Sequence, residues 1–322
     1  MMIFDLITLL ADGELHSGVE LGNELGMTRG GVWKLVSQLG QFGLATERVK
    51  GTGYRLREPL SLLSDSAISD HLDAHAKAKL EAIQLIPSLN STNEFVKTRL
   101  PPQQDFTLCL AEHQTQGKGR RGKNWLSPYG KNLYLSLGLR FDGGFEALSG
   151  LSLVVGVAVA DVLTTFTSGV AIKWPNDIWV DQKKIAGILV EIDGEQGGPL
   201  NVVIGVGVNV NMLSDEGSID QPWTSLIIEQ RELVDRSLLT AALVNRLLNL
   251  LENFKHAGFA ETQALYAGFD GLAGKWVELH NHDAVQTGIC RGIDERGFLL
   301  LESDGSKIVP FSAGELSLRV TS

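Results

Sequence analysis

Residues 117–123, Gly-Lys-Gly-Arg-Arg-Gly-Lys, satisfy two nucleotide-binding patterns at once, and the residues after them exclude both. The spacing fits the dinucleotide pattern G-x-G-x-x-G from Gly117 to Gly122 and the phosphate-loop pattern G-x-x-x-x-G-K from Gly117 to Lys123. Either pattern works by delivering phosphate to a helix N-terminus, where unpaired N–H groups and the helix dipole attract negative charge. Here Asn124 stands where a phosphate loop needs a Ser or Thr hydroxyl, and the chain runs through Ser127-Pro128-Tyr129-Gly130 into the alternating Asn-Leu-Tyr-Leu-Ser-Leu-Gly-Leu-Arg stretch. Turn residues followed by a period of two predict a loop and then a strand. What is left is a glycine-rich loop carrying Lys118, Arg120, Arg121 and Lys123. A solvated hairpin tip explains such a loop as well as an anion site does.

At 322 residues the chain exceeds the usual size of one core, so two or three domains are expected. Its longest nearly apolar run, residues 151–163, contains Asp161 and is too short to span a bilayer. The first residues lack the basic start and small-residue cleavage site of a secretory signal, and the reading is a cytoplasmic protein with no membrane partner. Cys109 and Cys290 sit in separate apolar runs without metal-ligand spacing, which predicts buried free thiols. A net charge of −10 argues against nucleic-acid binding by the molecule as a whole, but a mean hides local patches.

One such patch lies near the N-terminus. Residues 1–27 carry Asp5, Asp12, Glu14, Glu20 and Glu24 with no Lys or Arg, whereas residues 28–57 carry Arg29, Lys34, Arg48, Lys50, Arg55 and Arg57 against Glu47 alone. A helix ending at Gly13 is expected first, then a short one opened by the capping box Ser17-Gly18-Val19-Glu20. Thr28 caps a third helix, whose apolar positions Val32, Leu35, Val36 and Leu39 have helical spacing and whose stop is Gly43. The opposite face presents Arg29, Trp33, Lys34, Ser37 and Gln38 to a major groove, and a following hairpin turning at Lys50-Gly51-Thr52-Gly53 places Arg48 and Lys50 on a basic wing. This reads as a winged helix-turn-helix that binds DNA, with a protein-interaction module of the same fold as the alternative.

Three further stretches accompany the basic loop. Ser91-Thr92-Asn93 begins a helix with Ser91 and Glu94 in capping-box register; it offers several hydrogen-bonding groups to a small polar ligand, but taken alone a simple helix cap is the better explanation. Lys173-Trp174-Pro175-Asn176-Asp177 is a rigid bend between strands, because Pro is disfavoured in a central strand. Lys184 starts an apolar strand containing Gly187, and residues 201–212 form another strand that Gly205 and Gly207 strip of side chains on one face. Residues 145–166 are the helix best suited to cover this sheet. From Gly274 onward, short strands separated by turns at Asp294–Gly297 and Asp304–Ser306 predict a small β-barrel.

Ser91-Thr92-Asn93, Gln114, the 117–125 loop, Lys173–Asp177 and Lys184–Glu191, in this order behind a winged helix, resemble the bifunctional biotin protein ligases that are also biotin operon repressors. The resemblance runs over nearly the whole chain. It implies a multidomain α+β protein: a winged helix-turn-helix (1–60), a central mixed-sheet domain of the class II synthetase/biotin ligase type (61–270), and an SH3-like β-barrel (271–322). It further implies biotin contacts from Ser91, Thr92, Asn93, Gln114, Lys118, Gly119, Arg120 and Lys184, with Lys184, Arg120 and Lys118 as the catalytic cations. ATP and the adenylate fall to Arg121, Lys123, Trp125, Lys173, Asn176, Asp177 and Trp223, with Asp177 as the candidate for Mg²⁺ carried by ATP. The implied partners are the biotin carboxyl carrier protein of acetyl-CoA carboxylase, biotin operator DNA, and a second copy of the chain when the adenylate is bound. The family loop is usually G-R-G-R-x-G-R, and Lys118 and Lys123 replace two of its arginines. Lys gives a point charge where Arg gives a planar fork, a change that bears on the tightness of the adenylate complex. A biotin sensor without ligase activity, a lipoate ligase, and a ligase whose winged helix no longer binds DNA are the alternatives.

Overall fold

The computed structural model describes residues 2–100, 106–195, 198–215, 217–280, 285–303, 307–313 and 317–320. Helices α1 (Met2–Leu10), α2 (Gly18–Glu24) and α3 (Arg29–Val36) precede a hairpin of β1 (Thr46–Val49) and β2 (Gly53–Leu56). Both halves of the expected capping box form at α2: Glu20 N–H donates to Ser17 Oγ and Ser17 N–H to Glu20 Oε2. Helix α3 is shorter than its apolar spacing suggests. Ser37 Oγ donates to Lys34 O at 2.7 Å, offering the backbone an alternative to another α-turn. The chain tightens into a 3₁₀ turn over Leu39–Phe42, and Gly43 closes it at φ 74°. Leu6, Ile7, Leu10, Val32, Val36 and Leu39 make an apolar cluster that also takes in Tyr129 from far along the chain.

The next elements are α4 (Asp65–His71), α5 (Ala74–Lys79), β3 (Leu80–Ile86), α6 (Thr92–Lys97), β4 (Phe106–Ala111), β5 (Leu133–Phe141), α7 (Gly144–Ala147), α8 (Leu151–Leu163), β6 (Val170–Lys173), β7 (Asp177–Val180), β8 (Lys183–Asp193), β9 (Leu200–Val208), α9 (Leu226–Gln230), α10 (Arg236–Ala257) and α11 (Ala260–Phe269). Seven strands form one mixed sheet in the order β3-β4-β5-β9-β8-β7-β6, in which β3 and β4 run parallel and the other pairs antiparallel. Alternation divides each strand between two faces. Leu108, Leu135, Leu137, Ile204 and Val206 join the core built by α8 and α10. Cys109 and Val203 turn to the opposite face, against Val96 of α6.

The single helix expected over residues 145–166 is broken into α7 and α8. Gly150 adopts φ +81°, and a Cβ there would lie 2.6 Å from the Phe259 side chain, so the close approach of Phe259 and the left-handed turn both require glycine. Residues Gly144–Leu163 are long and apolar enough to cross a membrane by length and composition, but 67% of that window is buried within the fold. A core role between sheet and α10 accounts for the apolar run.

Five antiparallel strands close the chain: β10 (Trp276–His280), β11 (Val285–Ile293), β12 (Leu299–Ser303), β13 (Lys307–Phe311) and β14 (Ser317–Val320), in the order β13-β12-β11-β10-β14. Strand β14 is an addition to the four expected. The turn expected at Asp304–Ser306 lies outside the described residues, whereas Gly297 N–H donates to Asp294 O at 2.9 Å in the other. Val277, Leu279, Cys290 and Leu299 share one apolar cluster with the central sheet, and Trp174 Nε1 donates to Gly297 O at 3.1 Å. Both cysteines are free and buried, and burial pushes the Cys109 thiol up to about 12.

Candidate active site

The cleft lies on the α6 face of the sheet, a partly open space of about 480 Å³ that includes solvent at its mouth. Glycines open it. A Cβ on Gly205 would lie 2.4 Å from Asn93 Oδ1, and one on Gly207 2.5 Å from Trp125 Cε2, so neither side chain could rest on the sheet otherwise. Gly187 stands opposite Gly207 in the β8–β9 register and extends the bare patch beneath the same indole.

Buried side chains line the floor. Ser91 is the extended residue before α6, but its hydroxyl makes no cap bond. The N–H of Thr92 donates instead to Gln114 Oε1 at 2.9 Å, and Glu94 turns away to Lys118 and Lys97. The capping box expected here is therefore not formed: Glu94 pairs with Lys118 and Lys97, and the Ser91 N–H that its carboxylate would accept donates to Asn90 Oδ1 at 2.9 Å. Gln114 Nε2 donates to Ser127 Oγ, whose own proton goes to Trp125 O. Asn93 Nδ2 donates to Glu191 Oε2 at 2.7 Å, which turns Asn93 Oδ1 inward. Ser136 of β5, a fully buried residue that sequence reading overlooked, sits 2.7 Å from Thr92 Oγ1 and 2.5 Å from Asn93 Oδ1.

Counting protons gives this floor a chemical character. Three oxygen–oxygen contacts, Thr92 Oγ1 to Gln114 Oε1 and Ser136 Oγ to each of Thr92 Oγ1 and Asn93 Oδ1, share the two hydroxyl protons of Thr92 and Ser136. Thr92 N–H already serves Gln114 Oε1, so the two hydroxyl protons suffice within the floor, and what it offers a ligand is mainly acceptor oxygens, which suit N–H groups.

Cations form the rim. The basic loop folds back on itself through Gly119 N–H to Lys123 O at 2.7 Å and Trp125 N–H to Gly117 O at 2.8 Å, with a 3₁₀ turn at Arg120–Gly122. It is followed by a strand and not a helix, as the alternation predicts. Lys118 Nζ meets Glu94 Oε1 at 2.6 Å. Arg120 Nη1 donates to Asn176 Oδ1 at 3.1 Å and Nη2 to Ala313 O at 2.7 Å, joining the loop to the Lys173–Asp177 bend and to the C-terminal segment. Burial pulls the Arg120 pKa down, with Arg121 adding to that and Asp177 opposing it. Lys184 and Asp177 form a largely buried pair at 2.7 Å, and the ammonium lies 5.5 Å from the Trp125 ring centroid.

Ser91, Thr92, Asn93, Gln114, Lys118, Gly119, Arg120, Trp125, Asn176 and Lys184 thus all line one cleft. The remaining expected residues stand outside that lining. Arg121 and Lys123 are exposed on the loop. Lys173 stacks over Trp179 at 4.9 Å, where burial lowers its pKa. Asp177 reaches the cleft through Lys184, and Trp223 contributes backbone pairing beside Lys184. Among the described residues no group of three or more His, Cys, Asp or Glu could hold a metal ion. In the N-terminal unit, Arg29, Trp33, Lys34, Ser37, Gln38, Arg48 and Lys50 are all exposed.

Comparison with known proteins places this geometry among relatives. Residues 85–209 match the model of the biotin/lipoate A/B protein ligase family, and residues 274–319 match the biotin protein ligase C-terminal domain. The bifunctional ligase/repressor BirA of Salmonella typhimurium is 41% identical over 98% of this chain and 96% of its own, and that of Escherichia coli 40% over the same shares. Among solved structures, the biotin protein ligase from Aquifex aeolicus in complex with biotin and ATP is 29% identical, with a TM-score of 0.66 over 75% of this chain and 100% of its own.

Proposed function

The chain belongs to the biotin protein ligase family, and from that premise we propose that it joins biotin to a carrier protein and represses biotin biosynthesis genes. In the first step a biotin carboxylate oxygen attacks the α-phosphorus of ATP, and pyrophosphate leaves. In the second, a lysine amine of a biotin carboxyl carrier protein attacks the acyl carbon, and AMP leaves. The acceptor-rich floor of Thr92, Gln114, Ser136 and Asn93 carries the assignment of the substrate. A ureido ring brings two N–H donors and a carbonyl acceptor to such a floor, whereas the dithiolane of lipoate brings no donor. This favours biotin over lipoate within a family model that covers both.

The cations suit the chemistry. Joining a carboxylate to a phosphate brings two anions together, and fixed positive charge lining the cleft offsets their repulsion. Lys118, Arg120 and Lys184 converge on the cleft and fit that role. Arg121, Lys123 and Lys173 contribute field from outside the lining, and Trp223 supports the adenine side beside Lys184. Mg²⁺ enters with ATP, near Asn176 and Asp177; a metal held mainly by substrate phosphates needs no dedicated protein cage.

Arg120 spans two elements from the loop, so it serves as the clamp over the adenylate. Arg120→Ala is expected to accelerate adenylate loss roughly ten- to hundred-fold, the equivalent of one hydrogen bond to a charged group; trapping released adenylate with a rapid chase measures it. An unchanged dissociation rate would remove Arg120 from the clamp.

The three N-terminal helices and hairpin support a winged helix-turn-helix (1–60) whose exposed α3 face and wing meet operator DNA, followed by a catalytic domain (61–270) and an SH3-like barrel (271–322). Strand β8 pairs with β7 only as far as Gly187 but with β9 as far as Asp193, so residues 189–193 keep one edge without a strand partner among the described residues. That edge suits a two-fold sheet-to-sheet dimer in the adenylate-bound state, with carrier protein competing for the surface.

The decisive experiment incubates the protein with MgATP, with and without biotin, and seeks protein-retained biotinyl-adenylate by mass spectrometry. Its formation only with biotin is the expected result. Biotin binding without adenylate would leave a sensor lacking ligase chemistry.

A further inference from the structure

Beyond the residues that line the floor, an alternating chain of charges runs along one side of the cleft. Lys118 Nζ lies 2.6 Å from Glu94 Oε1, and Lys97 Nζ lies 3.2 Å from the same oxygen. Lys97 also reaches Glu191 Oε1 at 2.5 Å, and the other oxygen of Glu191 accepts from Asn93 Nδ2. The chain begins at the ammonium of a loop cation and ends at a side chain on the cleft floor.

Glu94 was expected to cap its own helix, and its departure to Lys118 asks for an explanation. Lys118 lines the cleft, and on the reading above it faces the anionic end of the ligand. With Lys118 tied to Glu94, an incoming carboxylate competes with that anion for the ammonium, and it approaches a site whose field Glu94 has partly cancelled. The displacement is easy to reverse. Glu94 keeps Lys97 when Lys118 leaves, and Lys97 keeps Glu191, so no member of the chain is stranded without an opposite charge. The pair is half exposed, with side chains 45% and 36% accessible, which limits its strength and keeps it exchangeable.

We propose that Glu94 is the resting counter-ion of Lys118, a positioning and affinity-setting residue that the ligand's carboxylate displaces on binding. This inference rests on the biotin reading of the cleft. Its role is to hold the loop cation in a defined place when the cleft is empty and to weaken anion binding in proportion.

The test compares biotin with its neutral alcohol analogue, which keeps the ring and chain but lacks the carboxylate, by calorimetric titration of the full chain. Glu94→Gln is expected to tighten biotin binding about three- to five-fold, within the range measured for exposed ion pairs. The alcohol should bind Glu94→Gln as it binds the unaltered protein, and on a Lys118→Gln background the Glu94 substitution should no longer matter. Equal changes for both ligands, or an effect that persists without Lys118, would make Glu94 a structural support and overturn the proposal. If the unaltered protein bound neither ligand, the biotin reading itself would fall, and the counter-ion role with it.

Discussion

Lys184→Gln is expected to slow adenylate formation by about two to three orders of magnitude, a loss of roughly 3–4 kcal/mol of transition-state stabilisation, while biotin affinity changes far less. The reason is the way this ammonium is held. Its backbone is fixed on both sides, with Lys184 N–H donating to Pro222 O and Thr224 N–H donating to Lys184 O, each at 2.9 Å. Asp177 on the neighbouring strand holds Nζ at 2.7 Å, and the indole of Trp125 covers it. A cation oriented in advance costs little reorganisation when charge develops on the α-phosphoryl oxygens, and only interactions stronger in the transition state accelerate the step. Gln keeps much of the length and polarity but removes the charge. Single-turnover quench measurements of adenylate, set beside biotin titration of the same variant, separate rate from binding. Lys184→Arg should recover part of the rate, because charge returns with a different shape. A normal single-turnover rate for Lys184→Gln would reduce Lys184 to a structural partner of Asp177.

The contrast between Glu20 and Glu94 explains where sequence reading succeeds and where it stops. Both stand three residues after a serine at a helix start, and the first forms the expected box while the second does not. At α2 every competing group is local, so the pattern suffices. At α6 the competitor is Lys118, brought in by the tertiary fold, and the Ser91 N–H that Glu94 would have accepted goes to Asn90 Oδ1. Ser136 was invisible for a related reason. A serine inside an alternating strand acquires meaning only when Asn93 descends onto Gly205, the residue that faces Ser136 in the β5–β9 register. The glycines of β9 were legible as missing side chains, but what they make room for was not.

Motif membership also proved coarser than geometry. Lys173, Asn176 and Asp177 are close in sequence, yet only Asn176 lines the cleft, because the bend sends Lys173 onto Trp179 and Asp177 onto Lys184. The order of elements was more legible than their ends, since periodicity marks where an element must be apolar and local hydrogen bonds decide where it stops. Ser37 bonding back to Lys34 is such a case.

A residue with no motif around it carries the second large effect: Arg236→Ala is expected to destabilise the protein by about 3–5 kcal/mol, the cost of removing one partner from a buried ion pair. Arg236 is fully buried at the start of α10, and Glu112 accepts its Nη2–H. Nε donates to Ser61 O at 2.7 Å and Nη1 to Asn132 O at 2.9 Å, while the other Glu112 oxygen accepts from Leu63 N–H at 2.6 Å. One guanidinium therefore fastens the segment after the hairpin, the end of β4 and the start of β5 to a single helix. Truncation leaves the Glu112 carboxylate buried without its cation and frees the connection to the N-terminal unit. Denaturant titration should report the loss. Limited proteolysis between residues 58 and 64 should accelerate with it, since Ser61 O loses the guanidinium and the Glu112 carboxylate that holds Leu63 N–H loses its cation. The paired apolar variant, Arg236→Met with Glu112→Leu, should regain much of the stability, because it strands no charge. If Arg236→Ala stays within about 1 kcal/mol of the unaltered protein, below the usual cost of breaking such a pair, the pair is not what holds the two units together. Glu112 stands two residues before Gln114, so a loosened β4 end also weakens biotin binding, and the same substitution ties the stability of the connection to the geometry of the floor.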